Sequence, residues 1–155
     1  VSRSTARPQV PLTELIPPHV TVLVPWVAEP TDTDVARLQA AVSSIQPFEL
    51  SFPTAGQFPN GTAWLKPEPF DQVRALLHAV IDAFPECPPY GGEFPDPHPH
   101  LTISSSDRGG PDVVAEANAA LAVTPAPTTR LTELGLWRED AAGVWAQIGA
   151  VPVGK

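Results

Sequence analysis

The strongest pattern along the chain is an apolar repeat of helical period. Phe70, Val73, Leu76, Leu77, Val80, Ile81 and Phe84 share one wide stripe, and Pro85 closes it. This predicts an amphipathic helix over 70–84 with a broad buried face. A second helix is expected after Thr31, where Thr31 and Asp34 form a relative of the capping box. Val35, Leu38, Val42 and Ile45 then recur at helical spacing. A third opens at Pro111, which the first turn of a helix accepts, and runs through Val113, Val114, Ala117 and Leu121. Elsewhere the pattern is that of strands. Val20 to Val24 is a β-branched run ended by Pro25, and Phe48, Leu50 and Phe52 alternate. Residues 61–66 follow the turn signal Asn60-Gly61, and Leu101 to Ser104 is a further strand. Two last strands, near 130–137 and 144–151, flank Glu139-Asp140-Ala141-Ala142-Gly143 and read as a hairpin. Residues 1–18 are polar and proline-bearing, a loop or short helical turn.

Strands and helices interleave, but the hairpin connections favour an α+β fold with antiparallel sheets over a doubly wound parallel one. The 155 residues fit one domain of ordinary size, with 43% hydrophobic residues to fill its core. The 21 prolines mostly fall between patterned segments and read as punctuation, not as disorder.

An internal echo carries the chemistry. A strand with histidine, then a helix, appears at 19–45 and again at 100–122. The two strands begin His19-Val20-Thr21-Val22 and His100-Leu101-Thr102-Ile103, each preceded by proline. Residues i and i+2 of a strand point to the same face. His19 and Thr21 therefore share a face, as do His100 and Thr102, with Val20, Val22, Leu101 and Ile103 turned the other way. Two such strands side by side would make a cleft with two imidazoles and two hydroxyls. One imidazole can take a proton while the other gives one, both near neutral pH. The hydroxyls can hold the non-bridging oxygens of a phosphate, where charge gathers in the transition state. No metal or other cofactor is required by this scheme. The bland alternative makes both histidines structural.

Charge and cysteine content narrow the choice. The formal net charge is -8 and no basic run exists, so a long nucleic acid is a poor substrate and a small phosphorylated molecule a better one. The lone Cys87 excludes an internal disulfide. A zinc site from Cys87, His98 and His100 lacks a fourth ligand and standard spacing. No apolar run approaches the roughly 20 residues of a membrane span, and residues 1–7 lack the apolar stretch of a signal peptide. A soluble, cytoplasmic protein without membrane contact is the expectation. The chain starts at Val1 rather than Met, which leaves room for a removed N-terminal segment.

With these residues in view, the sequence resembles the 2H phosphoesterases, specifically their bacterial 2′-5′ RNA ligase-like branch. The resemblance rests on Pro17-Pro18-His19-Val20-Thr21-Val22-Leu23-Val24-Pro25-Trp26 and on Pro99-His100-Leu101-Thr102-Ile103. Pro88-Pro89-Tyr90-Gly91-Gly92 and the stretch Leu131 to Trp137 support it, and it covers roughly 17–150. It implies a bilobal α+β fold with two antiparallel sheets lining a central cleft and helices outside. It further implies metal-independent action on a 2′,3′-cyclic phosphate or 2′-5′ linkage of a small nucleotide or RNA end. His19, Thr21, His100 and Thr102 match the catalytic positions one by one. The branch usually carries a strand well upstream of the first motif, and residues 1–18 do not look like it. Two functions of other classes stand beside this one: a binding domain for a phosphorylated ligand, and a biosynthetic enzyme reusing the cleft.

Around the motifs, Tyr90, Phe94 and Trp26 are the aromatics expected to bind substrate by stacking on a base. Tyr90 and Phe94 belong to the Gly/Pro-rich loop that leads to His100, where a lid role is natural. Trp64 and Trp137 are stacking candidates by position but are expected rather in the core; Lys66 and Arg138 are the nearest cations for a phosphate contact but are expected rather at the surface. His78 is expected to be a surface residue, and His98 a loop histidine.

Overall fold

The computed structural model describes residues 18–94, 96–104 and 111–154; the reading of the first 17 residues lies outside these. Among the described residues are three α-helices: Asp32–Ala41 (α1), Phe70–Ala83 (α2) and Pro111–Val123 (α3). Six strands accompany them: Phe48–Gln57 (β1), Ala63–Glu68 (β2), Leu101–Ser104 (β3), Thr128–Leu131 (β4), Glu133–Glu139 (β5) and Trp145–Pro152 (β6). All ladders are antiparallel, in a four-stranded sheet of order β3-β2-β1-β4 and a two-stranded sheet of β5 and β6.

The local chemistry explains most of these elements. Thr31 and Asp34 form a full capping box at α1. The Asp34 amide donates to Thr31 Oγ1 at 3.2 Å, and the Thr31 amide donates to Asp34 Oδ2 at 2.9 Å. Those bonds satisfy amides that the helix start leaves without partners. The helix ends at Val42, short of the expected Ile45. Ser43 and Ser44 turn the chain there, and Ile45 still packs against the core from beyond the helix.

The stripe of α2 is wide because the helix serves two cores. Leu76, Val80 and Phe84 join Leu38 and Val42 of α1 and Leu134, Leu136 and Val151 of the β5–β6 hairpin. Val73 and Leu77, one notch round the helix, pack with Leu50 and Phe52 of β1. One helix thus backs both sheets.

β1 is longer than the alternation of Phe48, Leu50 and Phe52 predicts, because the strand continues past Pro53 through a bulge. The β1–β2 register shifts between Ser51 and Thr54. Pro53 and, across from it in β2, Pro67 sit at this irregularity. Neither can donate to a ladder, and a bulge is where that loss is tolerated.

Two expectations are corrected. The strand foreseen near 130–137 is two strands in different sheets: β4 pairs with β1, and after Thr132 the chain leaves to pair with β6 as β5. The predicted strand from Val20 to Val24 is reduced to a single antiparallel bridge, Val20 with Leu101. The reason is visible in its packing. Val20 and Val22 touch the core of the four-stranded sheet, whereas Val22, Leu23 and Trp26 touch the other core. The segment crosses from one sheet to the other between Pro18 and Pro25, so it cannot follow one neighbouring strand for long. A cleft of about 770 Å³ runs along it, lined by His19, Thr21, Leu131, Leu136 and Trp137 among others. No described helix is long and apolar enough to cross a membrane.

Candidate functional site

The bridge between Val20 and Leu101 sets the register of the two motifs. Antiparallel partners of that bridge place Thr21 opposite His100 and His19 opposite Thr102. Directly opposed residues share a face, so this register sets the four residues as corners of a quadrilateral at the backbone; the larger cleft takes in His19 and Thr21, and a second recess takes in His100. Like residues stand on the diagonals of the quadrilateral, with His19 and His100 about 7–8 Å apart at the backbone. Val20 and Leu101 point the other way, into the core over α2. Two short motifs 81 residues apart in sequence are brought edge to edge.

The neighbouring strands extend the same face. Trp64 of β2 pairs with Thr102 of β3, and Gly56 of β1 pairs with Trp64. Continued one residue past the Leu65–Leu101 pair, this register sets Lys66 opposite His100, and Thr54 pairs with Lys66. A Cβ at Gly56 would sit 2.6 Å from the Trp64 indole, so only glycine lets the ring lie across β1. The Lys66 ammonium is 5.0 Å from the Phe70 ring centre and 3.6 Å from Glu68 Oε2. Trp64 therefore lies on the face of Thr102 and not in either core, while Lys66 is at the surface as expected. Their shared parity on β2 is legible in the sequence, but only pairing with β3 shows that this face is also that of Thr102.

His100 is held at a fixed angle. Its Nδ1 lies 2.6 Å from the carbonyl oxygen of His98. A carbonyl only accepts, so Nδ1 carries the proton and Nε2 is left for chemistry. The edge-on ring of Phe58, 4.8 Å away at 87°, backs the imidazole. His19 is exposed on the rim of the larger cleft.

A recess of about 550 Å³ opens beside His100, walled by Phe58, Asn60, Tyr90, Phe94, Asp96 and His98 among others. Tyr90 and Phe94 meet edge to face at 5.5 Å. Tyr90 takes φ 53°, a left-handed conformation unusual for a side chain of this size. Its amide donates to the carbonyl of Val24 at 2.6 Å, which ties the loop to the first motif's segment. Burial pushes the Tyr90 phenol pKa up, so the group stays neutral. Farther along, the Asp96 carboxylate accepts from His78 Nε2 at 2.9 Å and Arg74 Nη2 at 2.7 Å. The His78 bond and then the Arg74 bond hold the Asp96 pKa below the usual carboxylate range. This tie persists while Asp96 is ionised and is released as pH falls through that lowered value. His78, expected to be a plain surface residue, thus anchors the loop.

Trp26 is not in this recess but lines the larger cleft together with His19 and Thr21. Its ring stands edge-on to Phe84 at 5.4 Å, packed against the core between α1, α2 and the hairpin. Its position two residues after Val24 puts it beyond the crossing of the segment, on the far core. Trp137 and Arg138 stand on β5 along the larger cleft. Cys87, His98 and His100 are not assembled for zinc: among the described residues, no group of three or more His, Cys, Asp or Glu is arranged to hold a metal.

Comparison with known proteins bears on the whole chain. Residues 3–143 match the 2′-5′ RNA ligase superfamily. Among solved structures, the fold is similar to that of LigT from Escherichia coli, crystallised as a complex with 3′-AMP. The TM-score is 0.56 at 19% identity, over 99% of this chain and 88% of that one. No curated protein sequence matches.

Proposed function

Since the chain belongs to the 2′-5′ RNA ligase superfamily, we propose that it is a metal-independent phosphoesterase. Its substrate is a small nucleotide or RNA end bearing a 2′,3′-cyclic phosphate or a 2′-5′ phosphodiester. The observation that carries this is the Val20–Leu101 bridge, whose register pairs each motif's histidine with the other's threonine.

The phosphate sits over the quadrilateral. Thr21 and Thr102 donate hydroxyl protons to its non-bridging oxygens. One imidazole accepts a proton from the attacking water. The other donates a proton to the departing ribose oxygen as the P–O bond breaks, leaving a monoester. The Nδ1–H bond of His100 leaves its Nε2 for proton transfer in either direction; we assign His100 as base and His19 as acid. Tyr90 and Phe94 form the wall on which a base stacks, and the E. coli relative's complex with 3′-AMP is consistent with a nucleotide ligand. The acidic chain favours small substrates over long nucleic acid.

A panel of 2′,3′-cyclic nucleotides and 2′-5′ dinucleotides, incubated in excess EDTA with product analysis, tests this. Turnover of at least one cyclic phosphate to a single monoester is expected, at a rate unchanged by the chelator. Activity that vanishes in EDTA and returns with a divalent ion would overturn the metal-independent scheme. Binding without turnover would favour the binding-domain alternative. Thr21→Ala and Thr102→Ala are each expected to lower kcat about 10- to 100-fold, the loss of one hydrogen bond to a charged oxygen. Steady-state kinetics on the best substrate reads this directly, and an unchanged kcat in both would remove the hydroxyls from the scheme.

A further inference from the structure

His98 is exposed on one side, and aromatic rings meet its imidazole on the others. Its centre lies 5.0 Å from Trp64, 4.9 Å from Phe70 and 6.0 Å from Phe58. These three come from β2, from the start of α2 and from the turn just after β1. The flanking Pro97 and Pro99 are buried and fix the backbone on either side. The result is a stretch, Pro97-His98-Pro99-His100, whose only non-proline spacer is pinned by its side chain. The carbonyl of that spacer is the group that accepts the His100 Nδ1 proton at 2.6 Å.

We propose that His98 is a positioning residue for His100: its ring, seated among Phe58, Trp64 and Phe70, fixes the carbonyl that sets the tautomer and angle of the His100 imidazole. This rests on the reading of His100 as one of the two proton-transfer groups. The ring acts by shape, not by titration. Burial and the charges of His100, Lys66 and Arg74 lower the His98 pKa, which keeps the ring neutral in its aromatic seat. A ring whose neutral form is favoured packs there much as a phenyl group would. Phe58 contributes twice, since it touches both imidazoles. A catalytic imidazole with the wrong nitrogen protonated presents an N–H where the base needs a lone pair, so a loose carbonyl lowers the productive fraction.

The test uses nitrogen NMR of the full chain labelled at histidine, together with steady-state kinetics. In the wild type at alkaline pH, His100 is expected to show a protonated Nδ1 and a bare Nε2. His98→Ala empties the aromatic seat. His100 is then expected to shift toward a mixture of tautomers, with kcat lower by about tenfold, the scale of one backbone hydrogen bond, and KM little changed. His98→Phe refills the seat without a titrating group and is expected to restore both the His100 spectrum and kcat. If His98→Ala leaves the His100 nitrogen shifts unchanged, the proposal fails. It fails equally if His98→Phe restores the shifts but not kcat, because the His98 imidazole itself would then be needed. Should His98→Ala not fold, His98→Phe and His98→Leu supply the comparison, with leucine filling volume but not the flat seat and expected to disturb the spectrum. The NMR readout requires no substrate. A wild type that turns over nothing would count against the phosphoesterase reading while the spectra still decided the role of His98.

Discussion

His19→Ala and His100→Ala are each expected to lower kcat on a 2′,3′-cyclic phosphate by about 10²–10⁴, the range for removing a general acid or base. The register of the Val20–Leu101 bridge sets the two rings on opposite corners of one face, so each mutation leaves the other imidazole in place. The double mutant should lose little more than the worse single one, because a relay that lacks either end no longer works as a unit. In the wild type, kcat/KM should be bell-shaped in pH, with limbs that belong to the pair and not to either ring alone. A phosphodiester with a very good leaving group separates the roles. It needs no proton on departure and should rescue the mutant that lacks the acid far more than the one that lacks the base. With His100 assigned as base and His19 as acid, the rescued mutant is expected to be His19→Ala. Near-wild-type rates for both single mutants on every cyclic phosphate would defeat the catalytic assignment and leave a phosphate-binding cleft.

Phe84→Ala is expected to destabilise the fold by about 3–5 kcal/mol, the sum of lost transfer free energy and an unfilled cavity. That is a large part of the roughly 5–15 kcal/mol that holds a domain together. Phe84 is fully buried at the end of α2, in the core shared by both helices and the β5–β6 hairpin. Trp26 meets it edge-on, and the Arg37 guanidinium lies 4.2 Å over its ring. Arg37 is in turn fixed by bonds to the Ala83 carbonyl and the Glu86 carboxylate. The Arg37–Glu86 pair is substantially exposed and screened by solvent, so the ring and not the ion pair dominates. Urea denaturation should show a lower midpoint with an unchanged slope. Phe94→Ala is the contrast: at 52% exposure in the recess wall, it should move stability by less than about 0.5 kcal/mol while weakening nucleotide binding. A Phe84→Ala loss below about 1 kcal/mol would mean that the core closes over the hole.

Local chemistry was enough to determine several things about this protein. The stripe of α2, the Thr31–Asp34 capping box and the α+β class follow from spacing alone, because helix and strand periods dictate which side chains share a face. The same rule put His19 with Thr21 and His100 with Thr102 before any partner was known. What spacing does not contain is the partner. That Thr21 stands opposite His100 depends on a bridge between residues 81 positions apart, which only the closing of the core selects. The run from Val20 to Val24 has strand composition but crosses between two cores, and packing overrode its propensity. The stretch near 130–137 reads as one strand, yet it divides at Thr132 because its halves find different neighbours. Trp64 leaves its expected place in the core for the same reason. An isolated tryptophan carries no period, so its side is set by the strand next to it: β3 brings Trp64 beside Thr102. The aromatic seat of His98 has even less of a local signal, since its three walls come from β2, from α2 and from the turn after β1, and meet only when the chain has folded.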